Sequence, residues 1–257
     1  MAEERISLVF SDFDSTLAHK PALQNAVRVG EEDSWVAENN ISLLQKIAEC
    51  LPVYIVTGRR FSGFQQVAKI LPFCGGIIEH GCIIIENNVP NPEYFDKFRP
   101  YVGEIGKKSG PLWAYEAVLN GQGFKTDSEG RWASFRIKAK EWSEERKHDF
   151  MKNAHPDGLC SIMNQGNIDI MPKIGGKHKA IDFLLGKYQT SWLRTACLGD
   201  DYNDLDMLSK AGFPITHKGA VEDVQKLVRE RQGYISPVKD HDATSDMLSY
   251  VLRNIQR

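Results

Sequence analysis

Short apolar runs that end in polar residues recur along the chain, and each run predicts a buried strand. In the first part of the chain these runs are Ile6–Phe10, Val53–Val56, Gly75–Ile78 and Cys82–Glu86. Apolar positions at helical spacing predict helices over residues 40–50 and 61–70, between the runs. Unbroken apolar strands that alternate with helices are typical of a parallel α/β sheet covered on both faces.

The pattern changes after Glu86. Residues 87–100 are rich in proline and asparagine and predict a connector. Strand-like alternation follows over 132–139, a helix capped by Ser143 runs to about 153, and two strands, 160–164 and 168–171, flank a Gln-Gly-Asn turn. This middle stretch predicts a small α+β insert.

The strand–helix alternation resumes after Gly175. The predicted helices are 177–188, 204–210, 221–231 and 245–255, and the predicted strands are 195–198, 213–215 and 234–235. The expected organisation is one discontinuous α/β core, formed by residues 1–86 and 172–257, with a cap domain at 87–171.

Composition narrows the class of protein. The 257 residues carry a formal net charge of −2, so a nucleic-acid partner is not expected. The five cysteines are scattered and indicate reduced thiols rather than a zinc site or a disulfide scaffold. The acidic start and the shortness of every apolar run argue against a signal peptide or a bilayer span. A cytoplasmic protein without a membrane partner is expected.

Polar clusters follow three of the predicted strands. They are Asp12-Phe13-Asp14, Thr57-Gly58-Arg59 and the segment 200–204, which reads Asp-Asp-Tyr-Asn-Asp. In parallel sheets, ligands bind beyond the carboxyl ends of the strands, so neighbouring strands would bring these clusters together. Several carboxylates at one place suit Mg²⁺, with Asp12 and Asp200 as the first candidates for ligands.

Phosphoryl transfer is the chemistry that fits these groups. A carboxylate such as Asp12 can act as a nucleophile, and Asp14, if a turn brings it round, can serve as acid and base. A phosphate dianion also needs donors. Thr57 and Gly58 offer a hydroxyl and an amide, and Lys177, at the start of a helix, offers an ammonium group, with Lys179 as the alternative.

The segment Asp12-Phe13-Asp14-Ser15-Thr16-Leu17 resembles the first motif of the haloacid dehalogenase-like (HAD) phosphatases. Thr57-Gly58-Arg59, Lys177 and the segment 199–204 resemble the second, third and fourth motifs in the same order. The position of the insert is similar to that in the subclass with an α+β cap, type C2. The resemblance implies a Rossmann-like core, Asp12 as nucleophile and Asp14 as acid and base. It also implies Mg²⁺ on Asp12, the Asp14 carbonyl and Asp200, with Asp201 or Asp204 in support.

A closer resemblance is to sucrose-phosphate, trehalose-phosphate and mannosyl-3-phosphoglycerate phosphatases. Glu79-His80-Gly81 is similar to a turn of the trehalose-phosphate type, and Asn203-Asp204 is similar to the other two types. Through this resemblance Asn203 joins the phosphate-binding candidates. Ser15 stands where many members have glycine.

Several of these residues also have ordinary structural interpretations. Asp201 can satisfy loop amides, and Asp204 can cap the following helix. Arg59 and Arg60 could reach a substrate, but at a helix start arginines more often pair with surface acids, and His80 and His178 are expected to be structural. The cap residues Trp113, Tyr115, Trp132, Phe135 and Trp142 are more typical of a core than of a sugar platform. Cations that could receive an anionic substrate are Lys107, Lys108, Arg131, Arg136 and Lys138.

The sequence therefore predicts a magnesium-dependent phosphatase for a small phosphorylated metabolite, in particular a sugar phosphate, working as a monomer or homodimer. Two alternatives stay open. A phosphosugar mutase or phosphotransferase would use the same aspartate pair, and a binding module could keep the fold without catalysis.

Overall fold

The computed structural model describes residues 5–20, 23–29, 34–153 and 155–255, which form two principal sheets, a short hairpin and the surrounding helices. The strands are β1 (Leu8–Ser11), β2 (Ala26–Arg28), β3 (Trp35–Ala37), β4 (Val53–Val56), β5 (Gly75–Ile78), β6 (Ile83–Glu86), β7 (Val89–Pro90), β8 (Thr126–Asp127), β9 (Phe135–Ile137), β10 (Leu159–Asn164), β11 (Asn167–Pro172), β12 (Thr195–Leu198), β13 (Phe213–His217) and β14 (Tyr234–Ser236). The helices are α1 (Glu38–Ala48), α2 (Phe61–Ala68), α3 (Pro92–Asp96), α4 (Arg99–Val102), α5 (Pro111–Gly121), α6 (Glu144–Lys152), α7 (Lys177–Tyr188), α8 (Leu205–Lys210), α9 (Glu222–Glu230) and α10 (Asp240–Ile255).

The larger sheet has the order β14-β13-β12-β1-β4-β5-β6-β7. Pairing is parallel from β14 to β5 and antiparallel from β5 through β6 to β7. All four residues of β1, in the middle of the sheet, are fully buried. The predicted α/β class with a parallel-sheet core is confirmed, with an antiparallel edge added.

Close packing of helix on sheet explains the glycines of β5. A Cβ atom at Gly76 would lie 2.3 Å from the Phe64 ring of α2, so only glycine lets this buried ring rest on the strand. The helix is thereby held at a short distance from β4 and β5, whose carboxyl ends support the site.

The smaller sheet is antiparallel, with the order β10-β11-β9-β8. Its longest strands form a hairpin in which Asn164 pairs with Asn167 around Gln165 and Gly166, both at positive φ. The two predicted strands and their turn are thus present. The domain limits at 86/87 and 171/172 stay a prediction.

The interpretation of residues 87–100 as a connector is wrong, because the segment contains β7, α3 and α4. Two of its prolines begin helices rather than end them, since proline at the first helical turn forfeits no hydrogen bond. The Asn91 side chain accepts the Tyr94 amide and caps α3. Tyr94 then packs on Phe183 of α7, which fastens the segment to the larger sheet's helical layer.

Other differences concern segments with weak apolar periodicity. The prediction omitted the β2–β3 hairpin, α5 and β8, and strand β1 is Leu8–Ser11 rather than 6–10. Helix α10 begins at Asp240, five residues before the predicted start, because His241 and Thr244 occupy buried positions where an apolar residue was expected. Within the described ranges, no helix has the length and apolar character needed to cross a membrane.

Candidate active site

The three predicted clusters meet at the carboxyl ends of adjacent strands. Asp12 follows β1, Thr57 follows β4 and Asp200 lies two residues beyond β12, and these strands are neighbours in the sheet. The Asp12 amide donates to the Leu198 carbonyl (2.9 Å), which locks the ends of β1 and β12 together. The ends of the strands surround a cavity of about 210 Å³.

Both principal sheets contribute to the cavity wall. From the larger sheet and its loops come Asp12, Asp14, Ser15, Thr57, Gly58, Arg59, Arg60, Gly63, Gln66, Asp200, Asp201 and Asn203. From the smaller sheet and its loops come Asp127, Arg131, Arg136, Asn164 and Gln165. A molecule inside the cavity would therefore touch both parts of the chain.

Three carboxylates form the acidic centre of the site. One oxygen from each of Asp12, Asp200 and Asp204 lies within 4.8 Å of the other two. Burial, followed by the charges of Asp204 and neighbouring acids, raises the pKa of Asp200 to about 8. Burial also raises the pKa of Asp12, although Lys177 opposes the shift. Hard oxygen donors whose charges repel one another fit a divalent cation such as Mg²⁺.

The ammonium group of Lys177 lies among the carboxylates of this acidic centre. It is the first residue of α7 and is buried, and its Nζ donates to Asp12 Oδ1 (2.6 Å), Asp204 Oδ1 (2.6 Å) and Asn203 Oδ1 (3.1 Å). Burial alone would lower the pKa of Lys177, but the two carboxylates raise it above its usual value. The alternative, Lys179, is exposed and its Nζ donates to the Lys173 carbonyl, away from the acids.

The acidic residues of the loop after β12 accept backbone amides of the loop, and one of them also contributes charge to the acidic centre. Asp204 Oδ2 accepts the amides of Asp200 (3.0 Å) and Asp201 (3.2 Å), while its other oxygen meets Lys177. Asp204 therefore caps the loop and also belongs to the acidic centre. Asp201 accepts the Tyr202 amide (2.8 Å) and lies outside the group of three carboxylates. Gly199 is required here, because a Cβ would lie 2.6 Å from Asp204.

A turn brings Asp14 to the cavity, with Ser15 at a φ of 62°. Both Asp14 oxygens are held by Arg59, at 2.9 Å from Nε and 2.6 Å from a terminal nitrogen. Arg59 also stacks over the Phe13 ring and donates to Ser34. The expectation that Arg59 pairs with a surface acid is wrong, because its partner is the second acid of the site. Its sequence neighbour Arg60 donates to the Glu129 carbonyl.

Thr57 and Gly58, the candidates for phosphate binding, line the same cavity as Asp12. Thr57 is buried at the cavity wall, and its Oγ1 accepts the Arg59 amide (3.1 Å). A Cβ at Gly58 would lie 2.3 Å from the His80 ring and 2.9 Å from Asn164, so a larger residue would push the smaller sheet away.

A turn after β5 fastens the smaller sheet's strands to the larger sheet. Glu79 is fully buried and accepts the amides of Trp132 (2.8 Å) and Ala133 (2.9 Å) and the Ser134 hydroxyl (2.7 Å). Burial raises the pKa of Glu79, and Arg131 together with these hydrogen bonds opposes the shift. Glu79 and His80 adopt positive φ, which turns both side chains toward the smaller sheet.

His80 is structural, as expected, and its partner is an unanticipated buried carboxylate. Its Nε2 donates to Asp169 (2.7 Å), which also accepts Asn164 and two bonds from Arg136. Burial raises the pKa of Asp169, but these donors more than reverse it and hold it below its usual value. Burial lowers the pKa of His80. His178 lies outside this network, with its Nδ1 3.3 Å from Asp206.

The aromatic residues of the middle segment have core positions. Trp113 and Phe135 are buried, and Tyr115, Trp132 and Trp142 pack against the hydrophobic core. None of these five residues lines the cavity. Of the five cations considered as receptors, Arg131 and Arg136 line it and the three lysines do not. Sequence reasoning missed Asp127, Asn164 and Gln165, for which no motif gave a signal.

Comparisons with known proteins agree with this architecture. A family model described as haloacid dehalogenase-like hydrolase matches residues 125–248. A protein named phosphoglycolate phosphatase, from Sulfurisphaera tokodaii, is 23% identical over 225 residues, which cover 86% of this chain and 84% of the relative.

Solved structures show the same fold at low identity. A Thermoplasma acidophilum protein has a TM-score of 0.70 at 15% identity, over 96% of this chain and 99% of its own. The sucrose-phosphatase of Synechocystis, solved with sucrose and phosphate, has a TM-score of 0.68 at 14% identity, over 96% of this chain and 98% of its own. The resemblance stated from the motifs is confirmed.

Proposed function

We propose that the chain, which shares the fold of haloacid dehalogenase-like proteins and matches a model of that hydrolase family over residues 125–248, hydrolyses phosphomonoesters through an aspartyl-phosphate on Asp12. The observation that carries the proposal is the buried Asp12 carboxylate, which lies beside Asp200 and Asp204 at the wall of an open cavity, with Lys177 at 2.6 Å. The names of the relatives, a phosphoglycolate phosphatase and a sucrose-phosphatase, support the phosphatase assignment.

Asp12 is the proposed nucleophile. Its Oδ1 is held by Lys177, so the carboxylate keeps one orientation, and the other oxygen can attack phosphorus in line. Thr57, Gly58 and Asn203 line the cavity and Lys177 holds Asp12 beside it, so these four residues are the proposed partners of the peripheral phosphate oxygens. The positive charge of Lys177 favours the charge that collects there in the transition state.

Asp14 is the proposed acid and base. It donates a proton to the leaving oxygen, and it then takes one from the water that attacks the aspartyl-phosphate. Arg59 grips both of its oxygens in the structure. The carboxyl group therefore has to turn from Arg59 toward the leaving oxygen for each proton transfer, which makes this ion pair part of the working cycle.

The donor set for Mg²⁺ is Asp12, the Asp14 carbonyl and Asp200, with Asp204 or Asp201 in support. When bound, Mg²⁺ would neutralise charge on the transferring phosphoryl group. Thr16 donates to Asp200 Oδ1 (2.7 Å), and the capping bonds of Asp204 fix the loop, so the chain orients these oxygens before any ligand arrives.

We propose that the substrate is a sugar phosphate or a similarly small phosphorylated metabolite, and that the protein works in the cytoplasm. Residues 87–171 form the proposed mobile cap, which closes over the bound substrate. The amide groups of Asn164 and Gln165 at the cavity wall suit hydroxyl groups. The Synechocystis relative, whose structure holds sucrose and phosphate, supports a sugar leaving group. The cap buries the reacting groups and excludes water.

The experiment that tests the function measures free phosphate from the purified protein and Mg²⁺ with p-nitrophenyl phosphate and a set of sugar phosphates. A phosphatase releases inorganic phosphate in step with the alcohol. A mutase or phosphotransferase would instead move the label of a ³²P-sugar phosphate to a second sugar position or acceptor. A binding module would release no phosphate, and that result would remove the proposal.

Magnesium binding is expected to depend on pH. The pKa of Asp200, raised to about 8 in the metal-free protein, means that the cation must displace a proton below that pH. Raising the pH from 6 to 8.5 should therefore tighten Mg²⁺ binding and enlarge the rise in melting temperature that a fixed MgCl₂ concentration causes. Saturation at a hundred times Kd is worth about 2.7 kcal/mol. Thermal unfolding at several MgCl₂ concentrations measures the affinity for Mg²⁺ and the rise in melting temperature, with NaCl at equal ionic strength as the control. The Asp200→Asn variant should show no such rise. A rise of the same size at both values of pH would contradict this account of the acidic centre.

A further inference from the structure

Four arginines line the cavity, and three of them already have strong acceptors. Arg59 holds Asp14 with two hydrogen bonds, Arg136 holds Asp169 with two, and Arg60 donates to the Glu129 carbonyl. The fourth, Arg131, is 8% exposed and forms no ion pair with any carboxylate of the described residues.

The hydrogen bonds of Arg131 are few and long. One terminal nitrogen donates to the Gly58 carbonyl at 3.3 Å and to Ser134 Oγ at 3.2 Å, whereas charge-assisted bonds are usually about 2.7–2.9 Å. The buried carboxylates of Glu79 and Asp169 interact with the charge of Arg131 without a salt bridge. The Glu79 oxygens are occupied by two backbone amides and the Ser134 hydroxyl, and Asp169 is held by Arg136 and His80. In the part of the chain that the structure describes, the guanidinium group of Arg131 donates to no acceptor other than Gly58 and Ser134.

A buried cation that forms no salt bridge is costly, so such a group is expected where a ligand supplies an anion in direct contact. Arg131 lies on the cap side of the cavity, and its contact with the Gly58 carbonyl places it beside the proposed phosphate-binding loop. Arg131 lines the same cavity as Asp12, so it can contact a leaving group that lies in this cavity.

We propose that Arg131 binds a carboxylate on the leaving group, so that the substrate is a phosphorylated hydroxy acid or sugar acid. This inference rests on the proposed function, whose substrate class it narrows. The planar guanidinium fork matches a carboxylate with two parallel hydrogen bonds, and a single cation that forms no salt bridge within the described residues suits a single negative charge. The short span from Arg131 to Gly58 favours a compact substrate in which few atoms separate the carboxylate from the phosphate.

The test compares substrates that differ only in this group. In 3-phosphoglycerate against glycerol 3-phosphate, and in 6-phosphogluconate against sorbitol 6-phosphate, a carboxylate replaces a CH₂OH group. Calorimetric binding to the Asp12→Asn protein, which cannot form the aspartyl-phosphate, gives a readout that needs no turnover. The ratio of kcat/KM values in the wild-type protein gives the second readout.

The variants are Arg131→Gln and, as the matched control with the same change in charge, Lys138→Gln, at an exposed position outside the cavity. The wild-type protein and the control should prefer the acid of at least one pair by about tenfold or more, and Arg131→Gln should remove that preference. Circular dichroism checks folding. If Arg131→Gln is unfolded, Arg131→Lys decides, because lysine keeps the charge without the fork and should lower the preference at least about threefold.

Three results would overturn the inference. They are equal treatment of acid and alcohol by the wild-type protein, a preference that survives the change at Arg131, and an equal loss for both members of a pair, which would assign Arg131 to the transferring phosphate. Preferential binding of the acid with no phosphate release would support the carboxylate site and contradict the proposed function. Hydrolysis of acid and alcohol phosphates at equal rates would support the proposed function and contradict the carboxylate site.

Discussion

Asp12→Asn is expected to lower kcat/KM for p-nitrophenyl phosphate on the order of 10⁴-fold or more while the protein stays folded. An asparagine amide is a poor nucleophile, so the route through the aspartyl-phosphate closes. The fold should tolerate the change, because Asp12 is crowded by Asp200 and Asp204 and burial raises its pKa. Loss of one of several repelling charges leaves the metal-free protein at least as stable as before.

Steady-state kinetics at saturating Mg²⁺ and urea unfolding of both proteins measure these two effects. Asp182→Asn is the matched control, since it makes the same chemical change at a half-exposed residue paired with Lys210, outside the cavity. The control should keep its activity within about twofold. A loss of less than about tenfold for Asp12→Asn would show that Asp12 does not attack phosphorus.

Lys177→Met is expected to cost both activity and stability. The ammonium group holds Asp12, Asp204 and Asn203 at once, and methionine leaves the carboxylates buried without their cation. We expect kcat/KM to fall about 10³-fold and the free energy of unfolding to fall by about 3–5 kcal/mol in the absence of Mg²⁺. The stability cost should grow as pH rises, because the unpaired carboxylates are then forced to ionise.

Lys179→Met is the control for this variant. Lys179 lies two residues along the same helix, but it is exposed and donates to a backbone carbonyl, so its loss should change the unfolding free energy by less than about 0.5 kcal/mol. Similar effects of the two changes would indicate that the start of α7 matters for general helix stability and that Lys177 has no special relation to Asp12.

The core of the fold could be predicted because its strands are uniformly apolar. Runs such as Val53–Val56 and Thr195–Leu198 are buried on both faces and have the predicted bounds. The prediction was poorest where the same residue types are common in two kinds of local structure. Prolines in 87–100 suggested a connector, yet with Asn91 as a cap they begin helices, and only the contact of Tyr94 with Phe183 decides between these outcomes.

Some residues of the candidate site could also be predicted from the sequence, and others could not. Asp12, Thr57, Lys177 and Asp200 were identified from motifs that follow strands or begin helices, so the parallel sheet alone brings them together. The partners across the cavity were not identified. The ion pair between Asp14 and Arg59 joins residues 45 positions apart, and Asp169 meets His80 across 89 positions. The first pair depends on the shapes of the turns after β1 and β4, and the second on how the smaller sheet packs, and no local pattern encodes either.

The buried contacts of Glu79 and His80 bear on how the proposed cap, residues 87–171, would open. These residues hold the smaller sheet at one side of the cavity with hydrogen bonds that are removed from water. Opening of the cap would have to pivot near this turn, since breaking such bonds leaves buried donors without acceptors.

The most direct test of the central claim is mass spectrometry of the protein quenched in acid within milliseconds of mixing with substrate and Mg²⁺. The account predicts a phosphoryl adduct, about 80 Da heavier, on the peptide that contains Asp12 in the wild-type protein, and on no peptide of Asp12→Asn. Turnover without any adduct on that peptide, or an adduct on a different residue, would contradict it.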